Sequence, residues 1–208
     1  MILDWHLGLG DAIICNGLVR KLAERNDSIL LPTWTRNLPT VQAMFSDLLN
    51  VTAMPVNQEE RYPGATAIGV NDPSFGSQGS FDQEFYRLAG VDFDCRWSAF
   101  KIPETEPQLE PPLGRFMLIH GTTSDGKKID VSRILTDELW DVTWIPVESI
   151  PGRLTQCIKL IAAAEQIHCL DSAFVHLVES VPSSGALFFH DYARPNYFQR
   201  RKDWMVLN

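Results

Sequence analysis

The sequence predicts an α/β protein made of two Rossmann-like domains that face each other across a cleft. Short apolar stretches alternate with stretches whose apolar residues recur at helical spacing, which is typical of a parallel sheet covered by helices. Each half also carries a polar turn between a strand and a helix, at Gly8-Leu9-Gly10-Asp11 and at Asp171-Ser172. Open α/β sheets bind ligands at the carboxyl ends of their strands, so each half is expected to offer one binding edge.

The N-terminal half has the periodicity of four strands and three helices. Ile14, Leu18 and Leu22 indicate the first helix, and Pro39 suits the first turn of the second. Gly90 is expected to end the third helix. The predicted elements are a strand at Met1–Trp5, a helix from Asp11 to Leu22, a strand at Ser28–Trp34, a helix at Asn37–Phe45, strands at Asn50–Val56 and Ala65–Val70, and a helix at Phe81–Ala89.

A composition break separates the halves. Residues 102 to 114 contain four prolines and no periodicity, which favours a semi-rigid linker. We therefore predict domains at 1–103 and 115–208, with the linker at 104–114. In the second half the predicted elements are a strand at Phe116–His120, a helix around Val131–Leu139, a strand at Val142–Val147, a helix at Leu154–Ala164, a strand at Ile167–Leu170, a helix at Ser172–Ser180 and a last strand at Ala186–Phe189.

Composition excludes several classes of protein. The chain has 208 residues, a formal net charge of −8 and no apolar stretch of the ~20 residues that a membrane span needs. The N-terminus has no basic region before its apolar residues, so we expect a cytoplasmic protein and no signal peptide. The four cysteines form no CxxC pair, which favours reduced thiols over disulfides or a metal site. Nucleic acid is an improbable partner for so acidic a chain, unless the basic segment from Arg194 to Lys202 binds it rather than packing on the body.

The first polar turn offers a carboxylate. Gly8 and Gly10 would let a ligand approach the backbone, and Asp11 stands at or near the N-cap of the first helix. The spacing is not that of the GxGxxG dinucleotide fingerprint, because Ile13 takes the third position. Asp11 is therefore either a helix cap or a functional carboxylate.

The second polar turn offers an anion site. Asp171 ends a strand, Ser172 opens a helix, and His176 shares a helical face with Ser172. Free amides and the positive end of a helix dipole favour a phosphate there, and an imidazole can donate a hydrogen bond to it. Lys127 and Lys128 could add positive charge. A packed histidine and two solvated lysines are the structural alternatives.

The order of these motifs resembles that of the GT-B glycosyltransferases, in particular the heptosyltransferase-like family 9. The resemblance rests on Leu9-Gly10-Asp11, on Ile119-His120-Gly121 followed by Lys127-Lys128, and on Asp171-Ser172-Ala173-Phe174-Val175-His176. The family commonly has Asp-Ser-Gly-x-x-His in the last place, where Ala173 here replaces the glycine.

The resemblance implies a metal-independent, inverting transfer of sugar from a nucleotide-sugar to an acceptor hydroxyl, on a glycan or another molecule, without a cofactor. Asp11 would be the general base. The acceptor side would include His6, Gly8 and Gly10. The donor would bind at Gly121, Thr122, Lys127, Lys128, Asp171, Ser172 and His176.

Three other classes of protein stay open. The chain could bind a nucleotide-sugar without catalysis, given Ala173. It could transfer sugar to modified DNA bases, with Arg194, Arg200, Arg201 and Lys202 on phosphates. A nicotinamide oxidoreductase is the least supported class, because the dinucleotide fingerprint is absent.

Overall fold

The computed structural model describes residues 1–5, 8–57, 64–123, 125–134, 142–193 and 198–208. The chain forms two compact units. It passes from the first unit to the second between Glu106 and Pro107, within the Pro-rich segment, and Phe198 and Gln199 belong again to the first.

The N-terminal unit contains a small parallel sheet. Strand β1 pairs with β4, β2 pairs with β3, and a parallel bridge between Ile2 and Leu30 joins the two pairs in the order β3-β2-β1-β4. Five helices accompany the sheet in the described part of this unit. The elements are β1 (Leu3–Asp4), α1 (Leu9–Ile14), α2 (Asn16–Ala23), β2 (Ile29–Trp34), α3 (Leu38–Met44), β3 (Val51–Val56), β4 (Thr66–Ala67), α4 (Phe81–Ala89) and α5 (Cys95–Ser98).

The predicted first helix is interrupted. Cys15 has turn geometry and separates α1 from α2. The break leaves the carbonyl of Ile14 available, and the buried hydroxyl of Tyr86 donates to it at 2.8 Å. Next to the break, α2 runs very close to α5: a Cβ atom on Gly17 would overlap the carbonyl oxygen of Cys95. Helix α5 itself was not predicted.

A buried ion pair closes the N-terminal unit. Asp82 and Arg96 are fully buried and paired with each other. The Asp82 carboxylate also accepts from the Ser80 hydroxyl at 2.5 Å and from the amide of Gln199 at 3.0 Å. The guanidinium of Arg96 lies 5.8 Å from the ring centre of Phe198. Residues 198 and 199, which the sequence assigned to the second domain, therefore pack in the first unit.

The C-terminal unit contains a five-stranded parallel sheet. Its order is β6-β5-β7-β8-β9. Its described residues include 3-10 turns at Val131–Arg133, Val147–Ser149 and Leu154–Cys157. The other elements are β5 (Phe116–His120), β6 (Thr143–Pro146), α6 (Ile158–Ala163), β7 (Gln166–Cys169), α7 (Ala173–Ser180), β8 (Ala186–His190) and β9 (Trp204–Leu207).

Two predictions for this unit need correction. Strand β8 was expected to be the last, yet β9 follows it and pairs with it in parallel. The helix predicted at Val131–Leu139 begins as a 3-10 turn, and its residues 135–139 lie outside the described residues. The Pro-rich segment is also held in place: the Gln108 side chain donates to the carbonyl of Thr155 at 3.0 Å and accepts from the amide of Ile158 at 3.1 Å.

Candidate functional site

The strand order of the C-terminal unit reverses at one edge of the sheet, which makes that edge the candidate ligand site. The chain builds β6 on one side of β5 and then β7 on the other, so the connections diverge between β5 and β7. In doubly wound sheets, ligands bind outside the carboxyl ends of the strands at such a reversal. His120 pairs with Cys169 at the end of these strands, so the loops that begin at Gly121 and at Leu170 leave the sheet side by side.

The loop after β5 is a tight hairpin. Thr122 and Lys128 form an antiparallel bridge, and the amide of Ile129 donates to the carbonyl of Gly121 at 3.0 Å. At the tip, the amide of Lys127 donates to the hydroxyl of Thr123 at 2.9 Å. Lys127 and Lys128 are exposed. The described part of the hairpin therefore presents two exposed lysines beside the strand-order reversal.

The loop after β7 carries the other predicted donor residues. Asp171 and His176 are both buried, and the Nε2 atom of His176 lies 3.9 Å from an Asp171 carboxylate oxygen. Ser172 is the extended residue that precedes α7. Its hydroxyl oxygen is buried and has no hydrogen-bond partner among the described residues. The sequence grouping of these three side chains thus corresponds to one spatial cluster at the N-terminus of α7.

Two residues at this edge were not among the predicted donor residues. The carboxylate of Glu148, which follows β6, accepts from the amide of Thr122 at 2.7 Å. The ring of His120 stacks on Phe174, with ring centres 5.7 Å apart, and its buried Nδ1 atom has no hydrogen-bond partner in the described chain. Burial lowers the pKa of His120, and the Glu148 carboxylate opposes that shift. An acidic residue after the second strand of a doubly wound unit was the available signal for Glu148.

The N-terminal unit places Asp11 in the first turn of α1, near the N-cap, as the sequence predicts. Gly8 is the N-cap of α1, and Asp11 is the third residue of the helix. A Cβ atom on Gly8 would overlap the Asp11 carboxylate, so the absence of a side chain at Gly8 lets that carboxylate fold back over the start of the helix. Gly10 is half-buried in the first turn of α1. His6 lies outside the described residues.

A second polar pair lies at the same end of the N-terminal sheet. Asp4 ends β1, and Asn71 follows β4 along the chain. The side-chain amide of Asn71 donates to both carboxylate oxygens of Asp4, at 3.2 and 3.1 Å. Strands β1 and β4 are neighbours, and the strand order reverses between them. The sequence analysis did not predict this pair.

The basic segment near the C-terminus makes structural contacts in its described part. The Lys202 ammonium group donates to the carbonyls of Val178 and Val181, where α7 ends. The guanidinium of Arg200 lies 5.0 Å from the ring centre of Phe189. These contacts agree with a segment that packs on the body of the protein, and Arg194 lies outside the described residues.

Neither a metal cluster nor a membrane span is found in the described residues. They contain no group of three or more His, Cys, Asp or Glu side chains placed to hold a metal ion. Within the same residues, no helix has both the length and the apolarity to cross a bilayer.

Comparison with known proteins identifies the fold. No family model and no curated protein matches the chain. Two structures of TibC match with a TM-score of 0.58 and 11% identity: the bacterial iron-containing dodecameric glycosyltransferase from enterotoxigenic E. coli H10407, and the same heptosyltransferase in complex with ADP-D-β-D-heptose. Each match covers 96% of this chain and 60% of that chain.

A third structure, the E. coli ADP-heptose LPS heptosyltransferase II, matches with a TM-score of 0.49 and 14% identity, over 99% of this chain and 89% of that chain. The chain thus spans about 60% of the length of TibC. At this identity the likeness concerns the fold. The resemblance to heptosyltransferases of the GT-B fold is confirmed as a structural similarity over nearly the whole chain: this is an α/β protein with parallel sheets of that kind.

Proposed function

We propose that this protein is a glycosyltransferase that moves a sugar from a nucleotide-sugar to an acceptor hydroxyl, without a metal and with inversion at the anomeric carbon. One observation carries the proposal. The loops that leave β5 and β7, on the two sides of the strand-order reversal, bear the side chains suited to a diphosphate. The fold shared with TibC, which has been solved with ADP-heptose, supports the same conclusion.

The donor diphosphate would bind at the N-terminus of α7. A phosphate there meets the positive end of the helix dipole and the unpartnered hydroxyl of Ser172. His176 would donate from its ring while Asp171, 3.9 Å away, orients it. Lys127 and Lys128 would offset the charge that develops on the leaving diphosphate. No metal ion is needed for this step.

Glu148 fits the ribose of the same donor. Its carboxylate follows the second strand of the unit, where doubly wound folds commonly place an acidic residue that accepts from ribose hydroxyls. It is exposed, and the amide of Thr122 fixes one of its oxygens at 2.7 Å. The adjacent Gly121 and Thr122 would then approach the phosphates through their backbone.

Asp11 would be the general base. In an inverting transfer, a carboxylate removes the proton of the acceptor hydroxyl as its oxygen attacks the anomeric carbon and the nucleoside diphosphate leaves. Gly8 and Gly10 would form the acceptor side together with His6. We propose that the two units face each other across a cleft and close on the substrates, which would exclude water from the reaction.

Donor binding is tested by thermal shift with ADP, UDP, GDP and CMP and their sugars, since a bound ligand raises the apparent stability. His176→Ala should then weaken binding of the best ligand by about tenfold or more, because a charge-assisted hydrogen bond is worth about 1.5–3 kcal/mol. Lys159→Ala is a suitable control, as Lys159 is an exposed lysine of the same unit that pairs with Glu110. Unchanged affinity of the His176 variant would support a purely structural histidine.

The base is tested with Asp11→Asn. Because Gly8 is the N-cap, the substitution keeps the cap and removes a charge in the first turn that is worth about 0.3–1 kcal/mol of stability. The rate of transfer should fall by ~10²–10⁴-fold with normal donor affinity. Transfer at the original rate would rule out Asp11 and make His6 the next residue to test.

A non-catalytic nucleotide-sugar-binding protein is the second candidate. Ala173, the first residue of α7, stands where the glycosyltransferase family commonly has glycine, at the helix N-terminus proposed to bind the phosphates. Tight binding of a nucleotide-sugar without hydrolysis or transfer by the purified protein would favour this candidate over the enzyme.

A further inference from the structure

A chain of hydrogen bonds runs through the interior of the C-terminal unit. The Nε2 atom of His168 lies 3.2 Å from the side-chain oxygen of Gln166, and its Nδ1 atom lies 3.0 Å from Nε2 of His190. The Nδ1 atom of His190 lies 3.0 Å from the hydroxyl of Tyr192. That hydroxyl in turn accepts from the amide of Asp130 at 2.7 Å. Both histidines are buried, at 2% and 0% exposure.

The end at Gln166 fixes the direction of every bond. A carbonyl oxygen can only accept, so Nε2 of His168 carries the proton and its Nδ1 accepts. His190 must then donate from Nε2 and accept at Nδ1. Neither ring therefore carries a proton on Nδ1, and the Tyr192 hydroxyl donates to Nδ1 of His190. Its remaining lone pairs are free to accept from Asp130.

Asp130 is where this chain meets the hairpin after β5. The hairpin runs from Gly121 to Asp130 and carries Lys127 and Lys128. Just beyond it, the guanidinium of Arg133 lies 4.1 Å from the ring centre of Tyr192. Tyr192 thus contacts the exit of the hairpin with both its hydroxyl and its ring.

None of these four side chains is used in the proposed transfer. Gln166, His168 and His190 lie on β7 and β8, and Tyr192 follows β8. His168 and His190 are buried, and burying polar side chains is costly unless each has a partner, which both have here. The partner at the open end of the chain is a backbone amide of the hairpin, so the network joins the middle of the sheet to the lysine-bearing loop.

We propose that Tyr192 is a positioning residue for the donor diphosphate. By accepting from the amide of Asp130, it holds the exit of the hairpin and so fixes Lys127 and Lys128 relative to the N-terminus of α7. The bonds from Gln166 through His168 to His190 make the Tyr192 hydroxyl donate its proton to His190. The tyrosine oxygen can then accept from the amide of Asp130. This inference rests on the proposed function, because it assigns the lysines to the diphosphate.

The test is a double-mutant cycle on nucleotide binding. Tyr192→Phe removes the hydroxyl and keeps the ring beside Arg133. The dissociation constant for the tightest binder among ADP, UDP and GDP, measured by titration calorimetry, should rise about fivefold, the effect of one ordinary hydrogen bond. In a background of Lys127→Ala with Lys128→Ala, the same tyrosine change should have no further effect on binding, since a positioning residue acts through the lysines.

Tyr86→Phe provides the matched control. It removes a buried tyrosine hydroxyl from the other unit and should leave the dissociation constant unchanged. A fivefold effect of Tyr192→Phe that persists in the lysine-free background would overturn the inference, as would equal affinity of Tyr192→Phe and the unaltered protein. If the unaltered protein binds none of the three nucleotides, the proposed function fails and this inference fails with it. The melting temperature of each variant verifies that it is folded.

Discussion

Mild acid should destabilise this protein through the buried pair His168 and His190. Burial lowers the pKa of His168 to about 3, and the neighbouring His190 adds to the shift. Burial, aided by Arg133, lowers the pKa of His190 to about 4. In the unfolded chain both imidazoles have a pKa near 6.5. As the pH falls below about 6.5, the unfolded state therefore binds protons that the folded state does not bind, and the free energy of unfolding decreases.

The magnitude follows from linkage. At pH 5 the pH is about 1.5 below the unfolded pKa, and one pH unit corresponds to about 1.4 kcal/mol for each group. Each histidine thus lowers the free energy of unfolding by about 2 kcal/mol, and the pair by about 4 kcal/mol. The stability that the neutral pair preserves is complete above pH 6.5 and is lost as the pH falls toward 4.

Urea unfolding at pH 5, 6, 7 and 8 measures this loss. His168→Phe replaces one member of the pair by a ring that can still stack on Phe188, whose ring centre lies 4.4 Å from that of His168. The variant should be less stable at pH 8, because His190 loses its acceptor, but its stability should depend on pH about 2 kcal/mol less between pH 8 and 5. Equal pH dependence of the two proteins would refute the assignment of the acid sensitivity to this pair.

Two further substitutions test the packing of each unit. Gly17→Ala should cost about 1–3 kcal/mol in urea unfolding, because its methyl group would overlap the backbone of Cys95, and full stability would contradict the close approach of α2 and α5. Glu179 accepts from the amide of Lys202 at 3.3 Å and from the indole of Trp204 at 2.7 Å. Glu179→Gln puts a donor against one of them, so amide exchange along β9 should accelerate and stability should fall by about 1–3 kcal/mol, whereas unchanged exchange would show that β9 is held without this carboxylate.

Local signals in the sequence were sufficient wherever an element carries its own start and stop. Helix α4 occupies the predicted range, Phe81–Ala89, because Ser80 and Gln83 form a capping box and Gly90 adopts the left-handed conformation at its end. The strands flanked by polar turns were also predicted, because the turn residues mark where each strand begins and ends.

The elements that were missed depend on distant partners. The break at Cys15 is stabilised by Tyr86, which is 72 positions away from Ile14. Strand β9 has only four residues after a charged run, and the buried carboxylate of Glu179 on α7 anchors the segment that leads to it. Helical or strand periodicity cannot report such contacts, because they join residues that the pattern treats as independent.

The individual turns of the candidate site were predictable from the sequence, but their proximity in space was not. The turn at Asp171 and Ser172 can be predicted because the sequence has a strand pattern before it and a helix pattern after it. Its proximity to Gly121 depends on the insertion of β5 between β6 and β7, and sequence alternation does not give the order of strands in a sheet. The place of Glu148 beside Thr122 depends on the strand order in the same way, although an acidic residue after the second strand was a signal in the sequence.

The buried hydroxyl of Ser172 differs from buried polar groups that have partners within their own unit. Asp82 and Arg96 pair with each other within their unit, and the side chains from His168 to Tyr192 bond to one another within theirs. Ser172 Oγ, by contrast, is buried without a partner among the described residues and lies at the edge between β5 and β7. An unsatisfied buried polar group costs about 1–3 kcal/mol, so a ligand that supplied the missing partner at this edge would offset that cost. Phosphate oxygens accept hydrogen bonds and could therefore be the partner of the Ser172 hydroxyl. A diphosphate bound at the proposed site would thus also stabilise the C-terminal unit.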